Sequence, residues 1–99
     1  MKSYRLTPLA EDDLFEIWTF IACDNLTEAD SLQAEILIAC QKVAEKPDLG
    51  HFRRDLTDKP VRFFCVHRNY LIVYEPKSDP IQIIRVLHGA RDSTTELEA

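Results

Sequence analysis

The sequence predicts a two-layer α+β domain in the order β-α-α-β-β-β, with a helix hairpin laid on an antiparallel sheet. Two helical periodicities and three strand-like runs predict it. Ala10, Leu14, Ile17 and Ile21 recur at helical spacing, and so do Leu32, Ile36, Cys40 and Val43. Residues 61–66, 70–75 and 81–87 are rich in β-branched and aromatic side chains and are joined by short turns, which favours an antiparallel meander.

Residues 2–6 alternate weakly and read as a short first strand. Thr7-Pro8 then opens a helix, with Thr7 as N-cap and Pro8 at the first helical position. Glu11, Asp12 and Asp13 fall in its first turns, where negative charge suits the helix dipole. Trp18 widens the apolar face, and the helix is expected to run to about Cys23. Residues 24–27 form a turn. Thr27 followed by Asp30 resembles a capping box, with Asp in place of Glu. The second helix stops at Pro47, and Gly50 marks the loop beyond. Two helices joined so briefly form an antiparallel hairpin. In the turn His67-Arg68-Asn69, Asn69 is the residue suited to positive φ. The polar tail, residues 92–99, is compatible with a short final helix docked by Leu97.

Ninety-nine residues make one domain, residues 1–99. With 45% hydrophobic and 29% charged residues the chain is globular in type. No apolar run approaches the ~20 residues of a membrane helix, and Met1-Lys2-Ser3 opens no signal-peptide pattern. The expectation is a cytoplasmic protein with no membrane partner. Cys23, Cys40 and Cys65 form no C-x-x-C pair and read as small hydrophobes in a reducing compartment, so neither a metal nor a cofactor is expected. The net charge of −5 conceals an asymmetry. Residues 1–46 hold four Lys/Arg against nine Asp/Glu, whereas residues 51–91 hold eight against four, together with all three histidines. An acidic helical half and a basic strand half suggest faces for different partners.

The last strand carries the chemistry. Arg85 lies in mid-run, and His88 and Arg91 follow at its exit. A charge inside an apolar strand requires a partner. Plain alternation groups Ile81, Ile83, Arg85 and Leu87 on one side, and Gln82, Ile84, Val86 and His88 on the other. Arg62 and Arg68 lie on or beside neighbouring strands, so Arg62, Arg68, Arg85, His88 and Arg91 can form a basic patch for phosphate or carboxylate. Three readings stay open. Arg85 can pair structurally with an acid of the helix hairpin or with Asp92. The patch can dock an acidic protein. Or Arg62, Arg85 and His88 can cleave RNA, His88 moving the proton and the arginines stabilising phosphate charge. Against cleavage, His88 has no evident second proton-transfer group. Phe63, Phe64, Tyr70 and Tyr74 could stack on single-stranded RNA, but they fit core packing better. No helix bears the basic stripe of a DNA reader.

Across residues 2–92 the chain resembles the RelE/ParE toxins of bacterial type II toxin–antitoxin pairs, and within them the ParE branch. The carriers are Tyr4-Arg-Leu with Thr7, Ala10 and Asp13-Leu14; Ile17-Trp18; Pro47-x-x-Gly50; Val61-Arg62-x-Phe64; Tyr70-x-Ile72-x-Tyr74; and Ile84-Arg85-Val86-Leu87-His88. The resemblance implies a small cytoplasmic toxin silenced by a cognate antitoxin, with DNA contacted only through that antitoxin. Many ParE-type members inhibit DNA gyrase, whereas RelE-type members enter the ribosome and cut mRNA. The RelE pattern asks for a lysine-rich segment before the central strands and a tyrosine after His88; here only Lys59, Arg53 and Arg54 stand in that segment, and no tyrosine follows. Arg62 and Arg85 do fall where ribonuclease members place phosphate-binding arginines. A ribosome-dependent mRNA endonuclease is therefore the first alternative, and a non-toxic antitoxin-binding member the second. On the helix hairpin, Phe15, Trp18, Phe20 and Leu37 are the candidate anchors for the antitoxin. Charge reversal at Arg85 or Arg91 is expected to abolish toxicity and leave folding intact.

Overall fold

The computed structural model describes residues 2–67 and 69–88. The elements run β1 (Tyr4–Leu6), α1 (Pro8–Ala22), α2 (Leu26–Glu45), β2 (Arg62–Val66), β3 (Tyr70–Glu75) and β4 (Ile81–His88). The sheet order is β1-β4-β3-β2. β2, β3 and β4 form the expected antiparallel meander, but β1 joins β4 in parallel, with Tyr4 opposite Ile81 and Leu6 opposite Ile83. The sheet is therefore mixed. The two helices supply the crossover that a parallel pairing needs.

Thr7 caps α1 as the sequence indicates: its hydroxyl accepts from Ala10 N–H at 3.2 Å. The cap of α2 lies earlier than Thr27. Asn25 is extended, and its side-chain oxygen accepts from Glu28 N–H at 3.0 Å. Asn ranks among the best N-caps, so the helix starts at the first chance after the turn. At the β2–β3 turn, His67 takes the positive φ (54°) expected of Asn69.

The main core lies between the helices and the sheet. It joins Ala10, Leu14, Leu32, Ile36, Cys40 and Val43 to Ile72, Tyr74, Ile83 and Val86. Burial pushes the Cys40 thiol up to about 12, which leaves it inert. A smaller cluster of Val61, Phe63, Val73 and Leu87 occupies the other face, with Leu56 and Ile84 against it. Phe63 and Tyr74 are buried, and Phe64 and Tyr70 pack on the main core, so these aromatics serve packing.

Tyr74 also fixes the loop after α2. Its hydroxyl donates to Pro47 C=O at 2.6 Å and accepts from Gly50 N–H at 2.8 Å. A Cβ on Gly50 would lie 2.7 Å from that hydroxyl and 2.8 Å from Phe63 C=O, so only glycine fits the approach.

Simple alternation fails along β4. The pairing steps from Tyr74↔Ile83 to Val73↔Arg85, so Ile84 is an extra residue in a β-bulge. The bulge inverts parity: Ile81, Ile83 and Val86 face the helices, while Ile84 and Leu87 face away.

Candidate functional site

β1 accompanies β4 only as far as Ile83, so the outer edge of β4 continues without a neighbouring strand. Helix α1 closes this edge with side chains. The Thr7 hydroxyl donates to Ile84 C=O at 2.9 Å, and Asp13 Oδ2 accepts from Val86 N–H at 3.0 Å. The Arg85 guanidinium grips the same carboxylate through two bonds, Nε to Oδ2 at 2.8 Å and Nη2 to Oδ1 at 2.9 Å. The side chains of Arg85 and Asp13 are only 14% and 11% exposed. Arg85 thus stands in mid-strand because, at this open edge, a carboxylate fixed on α1 receives its guanidinium.

Of the expected basic patch, the described members Arg62, Arg85 and His88 stand apart from one another. Arg85 is held by Asp13, so reversing its charge would set two carboxylates together in a largely buried seam, and the variant is expected to lose stability. Arg62 is also engaged. Its Nη1 donates to Gly50 C=O at 2.7 Å, its Nη2 lies 3.6 Å from Asp48, and its guanidinium lies 4.4 Å from the centre of the Phe52 ring. Among the described residues its buried Nε has no hydrogen-bond partner. Arg54 approaches the same ring at 5.1 Å. His88 stands elsewhere, its ring edge-on to Tyr70 with centroids 5.3 Å apart. Arg62 shares a sheet row with Tyr74 and Ile83, whereas His88 shares one with Tyr70 and Val66. Those rows are four residues apart, about 13 Å along the strands at ~3.3 Å per residue. Arg68 and Arg91 lie outside the described residues, as does any final helix.

The helix hairpin carries the second candidate surface. Leu6, Glu11, Leu14, Phe15, Trp18 and Gln33 line an open groove of about 360 Å³ between α1 and α2. The Trp18 indole N–H donates to Asp30 Oδ1 at 2.8 Å, which fixes the ring at the groove wall. Phe15 is 68% exposed there. Leu37 is half-buried and packs on the core. Phe20, 63% exposed, sits five residues beyond Phe15, about 140° around the helix at ~100° per residue, and so belongs to another face. The anchors therefore divide, with Phe15 and Trp18 on the groove and Phe20 apart from it.

Asp13 and Thr7 as edge caps are absent from the sequence reading. Their signal was present: Asp13 follows Ala10 by three and precedes Ile17 by four, so it stands within the apolar stripe, where a carboxylate needs a buried partner. Among the described residues no group of His, Cys, Asp and Glu could hold a metal ion, and no helix is long and apolar enough to cross a membrane.

Comparison with known proteins agrees with this architecture. Toxin ParE1 of Caulobacter vibrioides is 29% identical over 98 residues, covering 98% of this chain and 99% of the relative. A solved structure described as the chromosomal ParDE TA system from P. aeruginosa superposes with a TM-score of 0.71 at 22% identity, covering 89% of this chain and 96% of the other, which establishes the shared fold. The sequence profile of the family described as "ParE toxin of type II toxin-antitoxin system, parDE" matches residues 4–93. With the profile spanning nearly the whole chain and the two-helix, four-stranded fold shared, this protein belongs to the ParE toxin family of type II toxin–antitoxin systems.

Proposed function

We propose that this ParE-family toxin acts by binding its target rather than by cutting RNA, that DNA gyrase is that target, and that a cognate antitoxin neutralises it in the cytoplasm. The observation that supports binding over cleavage is the dispersal of Arg62, Arg85 and His88. Arg62 fastens the loop after α2, Arg85 fastens the β4 edge, and His88 stands about 13 Å along the sheet from the Arg62 row. General acid–base cleavage needs proton-transfer and phosphate-binding groups around one reacting atom. The choice of gyrase follows from the resemblance to ParE-type members.

In this reading the target-binding surface is the end of the sheet where β4 finishes. His88 lies there opposite Tyr70. Arg68 lies between the turn residues His67 and Asn69, and Arg91 follows His88 by three residues. Arg85 braces the β4 edge beside this surface, whereas Arg62 fastens the loop after α2 at the far end of the sheet. The test is a supercoiling assay with antitoxin-free protein titrated against gyrase on relaxed plasmid. Inhibition with trapped cleaved DNA is the expected result. No inhibition by a large molar excess of folded protein would remove gyrase, and transcript cleavage at codon boundaries during expression would establish the ribonuclease reading instead.

A further inference from the structure

A cavity of about 420 Å³ opens between the helices and the sheet, at the same end of the molecule as the proposed target surface. Helix α2 forms one wall. Glu28, Ser31, Leu32 and Glu35 fall within about 100° of arc at ~100° per residue, so all four face one way. The β2–β3 turn and Tyr70, the first residue of β3, form the opposite wall. His67 Nδ1 lies 3.2 Å from Glu35 Oε2 and ties that turn to α2. The floor is apolar: Leu32 is buried, and Ile21 and Tyr70 pack on the main core. Tyr70 also meets the His88 ring edge-on, so the cavity is continuous with the end of the sheet assigned to the target.

The charges in this cavity are unequal. Two carboxylates face one imidazole. Glu35 is met by His67, whereas Glu28 is exposed and forms no ion pair among the described residues. An apolar floor below an unpaired carboxylate suits a side chain with a methylene stem and a cationic head. The Ser31 hydroxyl offers such a head a further acceptor. An anionic group would face two carboxylates and is disfavoured. We infer that this cavity receives an arginine or lysine side chain of the target protein, its stem against Ile21, Leu32 and Tyr70 and its charge between Glu28 and Glu35. The inference rests on the target-binding reading above and adds the chemistry of one contact. A socket of this kind sets partner choice and docking register more than it adds affinity.

The test has two arms. In the first, the folded toxin is titrated with N-acetyl-arginine-methylamide and, separately, with the uncharged N-acetyl-norleucine-methylamide, and amide shifts are followed by NMR. The arginine probe should shift Ser31 and Tyr70 saturably, the norleucine probe should not, and Glu28→Gln should weaken the response. Glu28 is exposed, so this variant keeps the core. Equal shifts with both probes, or none with arginine, would overturn the inference whatever the target is. In the second arm, wild-type toxin, Glu28→Gln and Asp58→Asn are compared in the gyrase supercoiling assay. Glu28→Gln should raise the half-inhibiting concentration about ten-fold, as for an interface charge that loses its partner. Asp58→Asn, on the loop before β2, should leave it unchanged. Equal inhibition by wild type and Glu28→Gln would place the cavity outside the interface and refute the inference while the gyrase reading stands. Arginine binding without inhibition by the wild type would remove gyrase and leave the cationic socket in place.

Discussion

Two Arg–Asp pairs in this molecule have nearly the same geometry and opposite surroundings. Arg85 holds Asp13 at 2.8 and 2.9 Å across 72 residues of chain. Arg53 holds Asp55 at 3.0 and 2.9 Å across two residues. The first pair is largely buried between α1 and the β4 edge, and its carboxylate also takes a backbone N–H. The second lies on the loop before β2, with side chains 43% and 64% exposed. Bond length therefore says little about what either pair does. Burial, chain separation and the additional backbone bond make one pair part of the fold and leave the other as surface chemistry.

The largest effect should follow from breaking the buried pair. Arg85→Ala leaves a largely desolvated carboxylate on α1, and loss of one partner of such an ion pair costs up to about 3–5 kcal/mol. A small domain has only ~5–15 kcal/mol in total, so the urea midpoint should fall sharply. Asp13→Asn with Arg85→Met should recover part of that loss, because the charge is gone and the amide oxygen of the introduced asparagine can still accept from Val86 N–H. If the double variant is as unstable as the two single losses added together, the seam is not a coupled pair.

A smaller loss should follow from Tyr74→Phe, which tests a buried polar contact without charge. The phenol joins Pro47 C=O to Gly50 N–H, and burial pushes its pKa up. Removing the hydroxyl leaves a buried donor without its acceptor, at a cost of about 1–3 kcal/mol. Hydrogen exchange should show Gly50 N–H losing protection while the helix amides keep theirs. Unchanged exchange at Gly50 would place the restraint on this loop elsewhere.

The contrast between the pairs also marks how far the sequence could be read. The helices, the meander and Thr7 as a cap were legible because each is a local pattern: apolar residues at helical spacing, β-branched runs between turns, a hydroxyl before a proline. The family resemblance rested on short motifs in order along the chain, from Tyr4-Arg-Leu to Ile84-Arg85-Val86-Leu87-His88, and each of these is local too. The parallel docking of β1 and the bulge at Ile84 were not legible, since both are register relations between strands distant in sequence. The bulge then reversed the parity by which Arg85 had been sorted. That Arg85 needed a partner could be read from its apolar neighbours. That the partner is Asp13, 72 residues away, required the fold. On the helices, the groove residues Phe15 and Trp18 were named from the sequence, but Phe20 was grouped with them because hydrophobicity alone does not tell one exposed face from another.

Capping gives a local contrast of intermediate size. Asn25→Ala removes the acceptor of Glu28 N–H at an exposed helix start, and loss of such a cap costs about 1 kcal/mol. Thr27→Ala, at the position where the sequence had suggested the cap, should cost measurably less in the same thermal melt. Equal losses would mean that the start of α2 frays and that neither side chain governs it.

The smallest effect belongs to Arg53→Ala, and here titration and stability should part. The Arg53 guanidinium, hydrogen-bonded to Asp55, holds that carboxyl below the usual aspartate range and raises its own pKa in return. A carboxylate depressed only in the folded state would contribute stability above the ordinary aspartate pKa and lose it as pH falls through the folded value. Linkage counts only the difference between folded and unfolded chains, however. Residues two apart can still meet in the unfolded ensemble, and water and salt screen the pair in both states. The expected outcome is that Arg53→Ala raises the Asp55 pKa toward its ordinary value in an NMR titration, while the melting temperature stays unchanged above and below that value. A melting curve that loses its acid dependence in the variant would mean that the loop holds this pair only when folded, and that it resembles the Asp13 seam more than its exposure indicates.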